Sequence, residues 1–572
     1  MRRALLAAGI LGGAIPVLAQ QQPPAFEESL VVTATLEEEE AENLSVAVTV
    51  IPRAEIEARQ ATQVLELLAT VPGLAVVQSG SPGKLTSLFS RGANSNHTLL
   101  LWNGLELNDP SFGGFDWAHL ATDGVERVEV VRGPYSALYG SDAIGGVVQV
   151  LTGREPGGRA TFEAGGNGYL RGAFSAAAAV GALQIDGAGH LRRGDGEVEN
   201  DFFDSEELLA RARLTPRAGV EVGLVARGSR SETGVPFDFS GSPSPRRRQE
   251  RRSGEIVLPV RFDSGAWSWE GQAGHTELDL EFGDPDDPFA ASSTDARSTQ
   301  ARGVATWRPP GDAWIAVGAD WKREQATTSS AFGPGLADHG QRTWAGFAQG
   351  AFGHGPWRFD LGARHDSNDA FGEQTTLKAG ALYRRRDFLR LRASYGEGFH
   401  APTLADLYFP GFSNPDLRPE TSHSYELGLE LGDWAQRPWR LTLAGFATDF
   451  ENLIQFDFLT FLPANVGRAR SRGVEAEAAW RGQRLTARLA ATLLDTEDRS
   501  TGEPLRRRPE ESASLVLAWR ADPVGLHAVA RHVGSRADVD LGGQPVELSG
   551  HTTLELGGRW RVAPWLEPYA RV

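Results

Sequence analysis

Few residues of this chain are arranged for catalysis, and several are arranged for binding. Asp195 in GDGE and Glu199, Asp201 and Asp204 in VENDFFDSEE crowd carboxylates into ten residues, a composition that suits a hard cation. Asp238 opens a further acidic position, but PSPRRRQERR follows it, and Arg246, Arg247, Arg248 and Arg251 oppose a divalent site there. Gly140, Gly145 and Gly146 invite comparison with a phosphate loop, yet no Gly-Lys-Ser/Thr follows. They read better as tight turns where strands pack closely. The 12 histidines are scattered, without HExxH spacing, and there is no GxSxG elbow. One more stretch is built for contact: in ESLVVTATLEEEE, strand-forming residues Leu30 to Thr33 stand beside Glu37 to Glu40. Four consecutive carboxylates predict a solvated, extended segment.

The elements that must carry these residues follow from wider patterns. MRRALLAAGILGGAIPVLAQ has a basic start, an apolar run and a small-residue site ending at Ala19, so residues 1–19 read as a secretory signal peptide. No later window of eighteen apolar residues exists, and there is no cysteine, which excludes disulfides and thiolate metal sites. A net charge of -17 argues against nucleic acid as a partner. From about residue 156 to 572, apolar residues alternate with polar ones: Tyr425, Leu427, Leu429 and Leu431 with Ser424, Glu426, Gly428 and Glu430; Leu389 and Leu391 with Arg390 and Arg392; Val474, Ala476 and Trp480 with Glu475 and Glu477. Period two over so long a span, with 67 glycines and 15 tryptophans, predicts a closed transmembrane β-barrel, since only closure satisfies every backbone group in lipid. SETGVPFDFSGSPSPRRRQERR (231–252) and GDPDDPFAASSTDARS (283–298) read as long outer loops, and RRRD (384–387) as a short turn. Residues 43–155 read as an α/β plug filling the lumen, with helical spacing at Val64, Leu67 and Leu68 and strand-like runs in HTLLLWNGLEL and VERVEVVRG. Arg91 and Arg132 are expected to pair with carboxylates inside the plug or on the barrel wall.

SLFSRGANSNHTLLLWNGLELND, VERVEVVRGPYSALYGSDAIGGVVQVLT, YGEGFHAPTLADLYFPGFSNPDLRPETSHSYELG and NVGRARSRGVEAE resemble segments of the TonB-dependent outer-membrane receptors, over nearly the whole mature chain. Within that family LVVTA, KLTSLFSRGANSNH and GSDAIGGVVQVLT are similar to the cobalamin receptors. The resemblance implies a barrel of about 22 antiparallel strands when complete, around an N-terminal plug. It implies a TonB box at Ser29, Leu30, Val31, Val32, Thr33 and Ala34, within a flexible acidic segment 20–42, left free for strand pairing with TonB under the ExbB–ExbD complex. It implies ligand contacts at Leu85, Ser87, Asn94, Phe112 and Gly113 on the plug and at Arg506, Leu541 and Thr294 on the barrel. It also implies calcium at Asp195, Glu199, Asp201 and Asp238, a site the neighbouring arginines oppose, with no other cofactor. The further partners are lipopolysaccharide and a periplasmic binding protein. The expected cargo is a corrinoid, with a ferric siderophore, haem or another metal chelate as the alternative and a passive porin as a more distant one. The family pattern continues for roughly another strand and a half beyond EPYARV, so the sequence is expected to be a fragment.

Overall fold

The computed structural model describes residues 30–31 and 34–572, except 239, 332, 386–387, 433–436, 458–461 and 541–543. The signal peptide lies outside them. From Gly157–Ala164 to Tyr569–Arg571 each strand pairs antiparallel with the next, giving a 22-stranded sheet that counts the two-residue piece Gly333–Pro334. The Tyr569 hydroxyl donates to Glu163, tying the last strand to the first.

Burial shows which solvent the outer face meets. On Glu420–Leu431, Leu427 is 71% exposed while Glu426 is 5% and Glu430 6% exposed. On Leu389–His400 and Leu462–Arg481, Leu391 and Val474 face out while Arg390, Arg392 and Glu475 are buried. A soluble protein hides the apolar set; here the polar set is hidden, as a barrel in lipid requires. Trp267, Trp307, Trp357, Trp480, Trp519 and Trp560 mark the strand ends beside short turns such as 181–182, 265–266 and 355–356. Such aromatic girdles sit at membrane interfaces. The opposite ends carry the long connections 195–202, 235–247, 401–419, 499–510 and 534–550, which identifies them as the outer end.

Two expected long loops are shorter than the sequence suggests. Strands run to Gly234 and resume at Arg248, and Trp267–Asp284 meets Asp287–Trp307 across a two-residue turn. Turn-forming residues did not end these strands, because side chains above the lipid are polar on both faces and the ladder continues without them.

Inside, a five-stranded sheet runs in the order Val48–Pro52, Val125–Arg132, Gly146–Thr152, Thr98–Trp102, Leu105–Glu106. The helical pattern forms two short helices, Arg53–Arg59 and Val64–Leu68, broken where Gln60 turns left-handed at φ 53°. Val64, Leu67 and Leu68 pack with Ile51, Leu100 and Trp102. Gly145 is a close approach: a Cβ there would lie 2.7 Å from that of Ala93. Arg91 seats this plug. Its Nε and Nη2 donate to the two oxygens of Glu475 at 2.8 and 2.9 Å, and Nη1 donates to Glu426 at 2.6 Å. Arg132 adds a contact to Glu475 at 3.3 Å. Both arginines thus meet barrel-wall carboxylates.

Removing Arg91 strands the buried Glu426 and leaves Glu475 with Arg132 alone, a loss of about 3–5 kcal/mol. Arg91→Leu is expected to lower the urea concentration at which protease cuts the plug, while the barrel keeps its folded gel mobility.

Candidate functional site

At the outer end the plug offers three turns. The tip 79–85 joins Leu74–Gln78 to Thr86–Ser90 and leaves Leu85 59% exposed. Ser87 follows on the second strand, opposite Val77. The tip is moored to the barrel: Lys84 Nζ lies 3.1 Å from Asp201 Oδ1, to which the Ser81 hydroxyl also donates at 2.5 Å. Burial works against the charge on both partners. It pulls the Lys84 ammonium down, whereas hydrogen bonds from Ser81 and the Glu197 amide outweigh it and hold Asp201 below the usual carboxylate range. Asp201's share of the mooring is therefore present above that range and lost as pH falls through it.

The second turn holds Asn94, whose Oδ1 accepts from Arg508 Nη2 at 2.6 Å. Arg508 also donates to the carbonyls of Gly92 and Ala93 and lies 4.4 Å over the Phe89 ring. Next to Asn94, the His97 imidazole meets Glu420, and burial keeps it below its ordinary range in spite of that carboxylate. The third turn presents Phe112, 53% exposed, and Gly113 at φ +74°. A Cβ on Gly113 would touch Thr403, Asn96 and His400, so the second and third turns adjoin.

The barrel candidates fare differently. Arg506 is exposed, and only its carbonyl takes part, accepting from Arg508 Nη1 at 2.5 Å. The guanidinium that reaches the plug is two residues further on. Thr294 is buried in the wall on Asp287–Trp307, near Ala296, which packs with Leu336 and Leu404. Leu541 lies outside the described residues.

The carboxylates expected to hold calcium do not converge. Asp201 is engaged by Lys84 and Ser81; Asp238 accepts from Ser240 and Ser242 within its own turn; Glu199 is exposed; and Asp195 joins the Asn167 carbonyl through its amide. Among the described residues no three acidic or histidine side chains form a group that could hold a metal. Arginines tie these loops instead. Arg246 pairs with Asp286 and Arg247 with Asp284 at 3.3 Å across neighbouring hairpins, and Arg248 pairs with Glu232 at 2.9 Å within one hairpin. The Asn200 amide donates to the carbonyls of Val235, Ser244 and Arg247.

At the inner end lies the N-terminal segment, and it is not free. Leu30–Val31 pairs antiparallel with Glu39–Glu40. Ala34 is buried, its carbonyl accepting from Lys378 at 3.3 Å. Glu37 meets Arg308 at 2.6 Å, Glu39 meets Arg358 and the Trp314 indole, and Glu42 meets Arg390. Glu37 and Glu39 do not keep the segment solvated, because arginines near the short-turn ends of the barrel receive them, as Arg390 receives Glu42. Ser29, Val32 and Thr33 lie outside the described residues.

Sequence reading missed Arg508, Lys84 and this clamp. One signal was available. The chain has three lysines among its 57 basic residues, Lys84, Lys322 and Lys378, and each bridges plug or N-terminal segment to barrel.

Known proteins match along the whole chain. A family model described as the TonB dependent receptor-like β-barrel matches residues 162–570, and one described as the TonB-dependent receptor plug domain matches 40–147. Proteins named vitamin B12 transporter BtuB are similar: that of Photobacterium profundum is 26% identical over 100% of this chain and 95% of its own length, and that of Vibrio vulnificus 27% over 100% and 94%. Among solved structures, Pseudomonas aeruginosa FpvA bound to a pyoverdine superposes with a TM-score of 0.81 at 14% identity, over 96% of this chain and 84% of that one. At that identity the likeness is one of fold.

Freeing the clamp should free the segment. A spin label at position 30 is expected to gain a mobile component in Glu37→Gln/Glu39→Gln, and to stay immobile if the clamp plays no part in holding the segment.

Proposed function

The chain belongs to the TonB-dependent receptors, outer-membrane β-barrels that bind a ligand outside and import it through TonB, and on that premise we propose that its cargo is cobalamin or a related corrinoid. The observation that carries this reading is the outer face of the plug. Leu85 and Phe112 offer exposed apolar surface, and Ser87 and Asn94 supply polar groups beside it. A large amide-fringed ring needs that combination: apolar contact for its face and hydrogen bonds for its rim. Relatives named vitamin B12 transporters, similar from end to end, support it.

In this reading cargo rests on the three plug turns, and TonB, energised by ExbB and ExbD, pairs with residues 29–34 and pulls. The transition couples tight binding at rest to release under load, an equilibrium between two states rather than a reaction. A periplasmic binding protein takes the cargo onward, and lipopolysaccharide surrounds the outer end.

Cyanocobalamin titrated into the purified protein tests this. Asn94→Ala is expected to weaken binding about tenfold, close to the value of one neutral hydrogen bond, with Arg506→Ala neutral. Chelation of divalent cations is expected to leave the affinity unchanged, because the outer hairpins are tied by Arg246, Arg247 and Arg248. Leu30→Pro is expected to abolish uptake and spare binding, since proline removes a pairing donor. An absence of binding at micromolar cyanocobalamin would move the cargo to a ferric chelate.

A further inference from the structure

The plug does not fill the lumen evenly. On the side of Arg91 it is sealed by the carboxylates of Glu426 and Glu475, by the Gly73 amide donating to Thr492, and by the Ser471 hydroxyl donating to the Arg91 carbonyl. On the far side lies Leu105–Glu106, the two-residue edge strand of the plug sheet. It meets the wall through Lys322, 3.1 Å from Glu106, through Gln300, bonded to the Glu106 backbone, and through the buried Leu105 side chain, which lies against Gly274.

Along this edge run two chambers. The outer is a cavity of about 90 Å³ and reaches Asn368, Phe371 and His400 at the outer end. The inner, of about 340 Å³, reaches Glu221, Arg261 and Glu270 near the short turns. They share five lining residues, Leu101, Gly104, Tyr139, Gln272 and Arg302. The waist is a built closure. Arg302 Nη2 donates to the Leu138 carbonyl of the plug at 3.1 Å, Nη1 lies 3.5 Å from Asp320 on the wall, and the guanidinium stacks between Tyr139 of the plug, at 5.1 Å, and Phe347 of the wall, at 4.6 Å. Across the waist a Cβ on Gly104 would lie 2.5 Å from the Gln272 carboxamide oxygen. Thr35 and Leu36 line the inner chamber, one residue from the Glu37–Arg308 pair.

We propose that imported cargo crosses the barrel along this seam, with Arg302, Tyr139 and Gln272 closing its waist at rest and residues 35–36 covering its inner end. The inference rests on the transport reading and is independent of which cargo is carried. Traction on residues 30–34 draws out 35–37 first and uncovers the inner chamber while the Arg91 side stays seated. Opening the waist then needs only the displacement of one guanidinium and a two-residue edge strand, with no unfolding of the plug core.

The test uses ion conductance of the purified full-length protein in planar bilayers, so it does not depend on the cargo. The chain has no cysteine, which makes any introduced thiol unique. Arg302→Ala is expected to raise conductance severalfold. In Arg302→Ala/Gln272→Cys a negatively charged methanethiosulfonate reagent should return it to the resting level. In Arg302→Ala/Thr442→Cys, whose thiol lines a separate cavity beside Val48–Val50, the reagent should do nothing. Folding is checked by the heat-modifiable gel mobility of intact barrels. If Arg302→Ala fails that check, Tyr139→Ala removes the other half of the closure and is read the same way. No rise in conductance, or block from Thr442→Cys, overturns the seam.

Discussion

Glu426 and Glu475 point into the lumen because lipid claims the other face of their strands, and everything else in the molecule depends on how such groups are answered. A buried carboxylate without a cation costs several kcal/mol. The barrel wall answers many from within, as Arg227 answers Glu207 and Glu255, but Glu426 and Glu475 take their partners from the plug. Arg91 supplies charge from the plug in a forked geometry, two oxygens of one glutamate and one of the other. The plug is thus a counter-charge as much as a stopper, and its orientation follows from where the unanswered glutamates are. Arg91 itself sits at φ 48°, a costly conformation for a side chain of its size that this network holds in place.

The same rule places charges elsewhere. Arg308, Arg358 and Arg390 stand near the short-turn ends of their strands, and Glu37, Glu39 and Glu42 come to them. At the outer end, Asp284 and Asp286 belong to one hairpin while Arg246 and Arg247 belong to another, so two projecting strand pairs are held together without a metal ligand set. Where a cation bridge needs several oxygens around one point, these carboxylates each face a separate guanidinium.

Much of this was legible in advance, and the reasons differ by element. The alternation of Leu427 with Glu426 and Glu430 is local and covalent, so it survived folding unchanged; only the identity of the outer solvent had to be inferred. The plug strands at Thr98–Trp102 and Val125–Arg132 were legible for the same reason. Strand length above the lipid was not, because 283–298 carries turn formers that a hairpin ladder tolerates. The fate of EEEE was not legible either. A run of acids is solvated or bound according to what lies opposite, and the partners Arg308 of Glu37 and Arg358 of Glu39 are 271 and 319 residues away in sequence. In the run Arg506 to Arg508 only the fold decides which guanidinium turns to the plug, and it is that of Arg508.

These contacts form a ladder of strengths that gives direction to a pull. Of the rim pairs of the N-terminal segment, Glu37–Arg308 is partly exposed, with Arg308 about a third accessible, and such a pair is worth at most about 1 kcal/mol, whereas Glu39–Arg358 is buried on both sides. The Arg91 fork is buried, and breaking it costs about 3–5 kcal/mol. In the proposed reading force enters at residues 29–34, next to the Glu37–Arg308 pair and before the Arg91 fork. A load that rises gradually meets the exposed Glu37–Arg308 pair, then the buried Glu39–Arg358 pair, before it reaches the plug sheet. What it then meets depends on geometry: Val48–Pro52 is the first strand of that sheet, hydrogen-bonded along its length to Val125–Arg132. Pulling on an edge strand in register shears a whole ladder at once, whereas Leu105–Glu106 at the other edge is held by two residues. The sheet therefore resists at the loaded edge and yields at the unloaded one, which is where the seam lies.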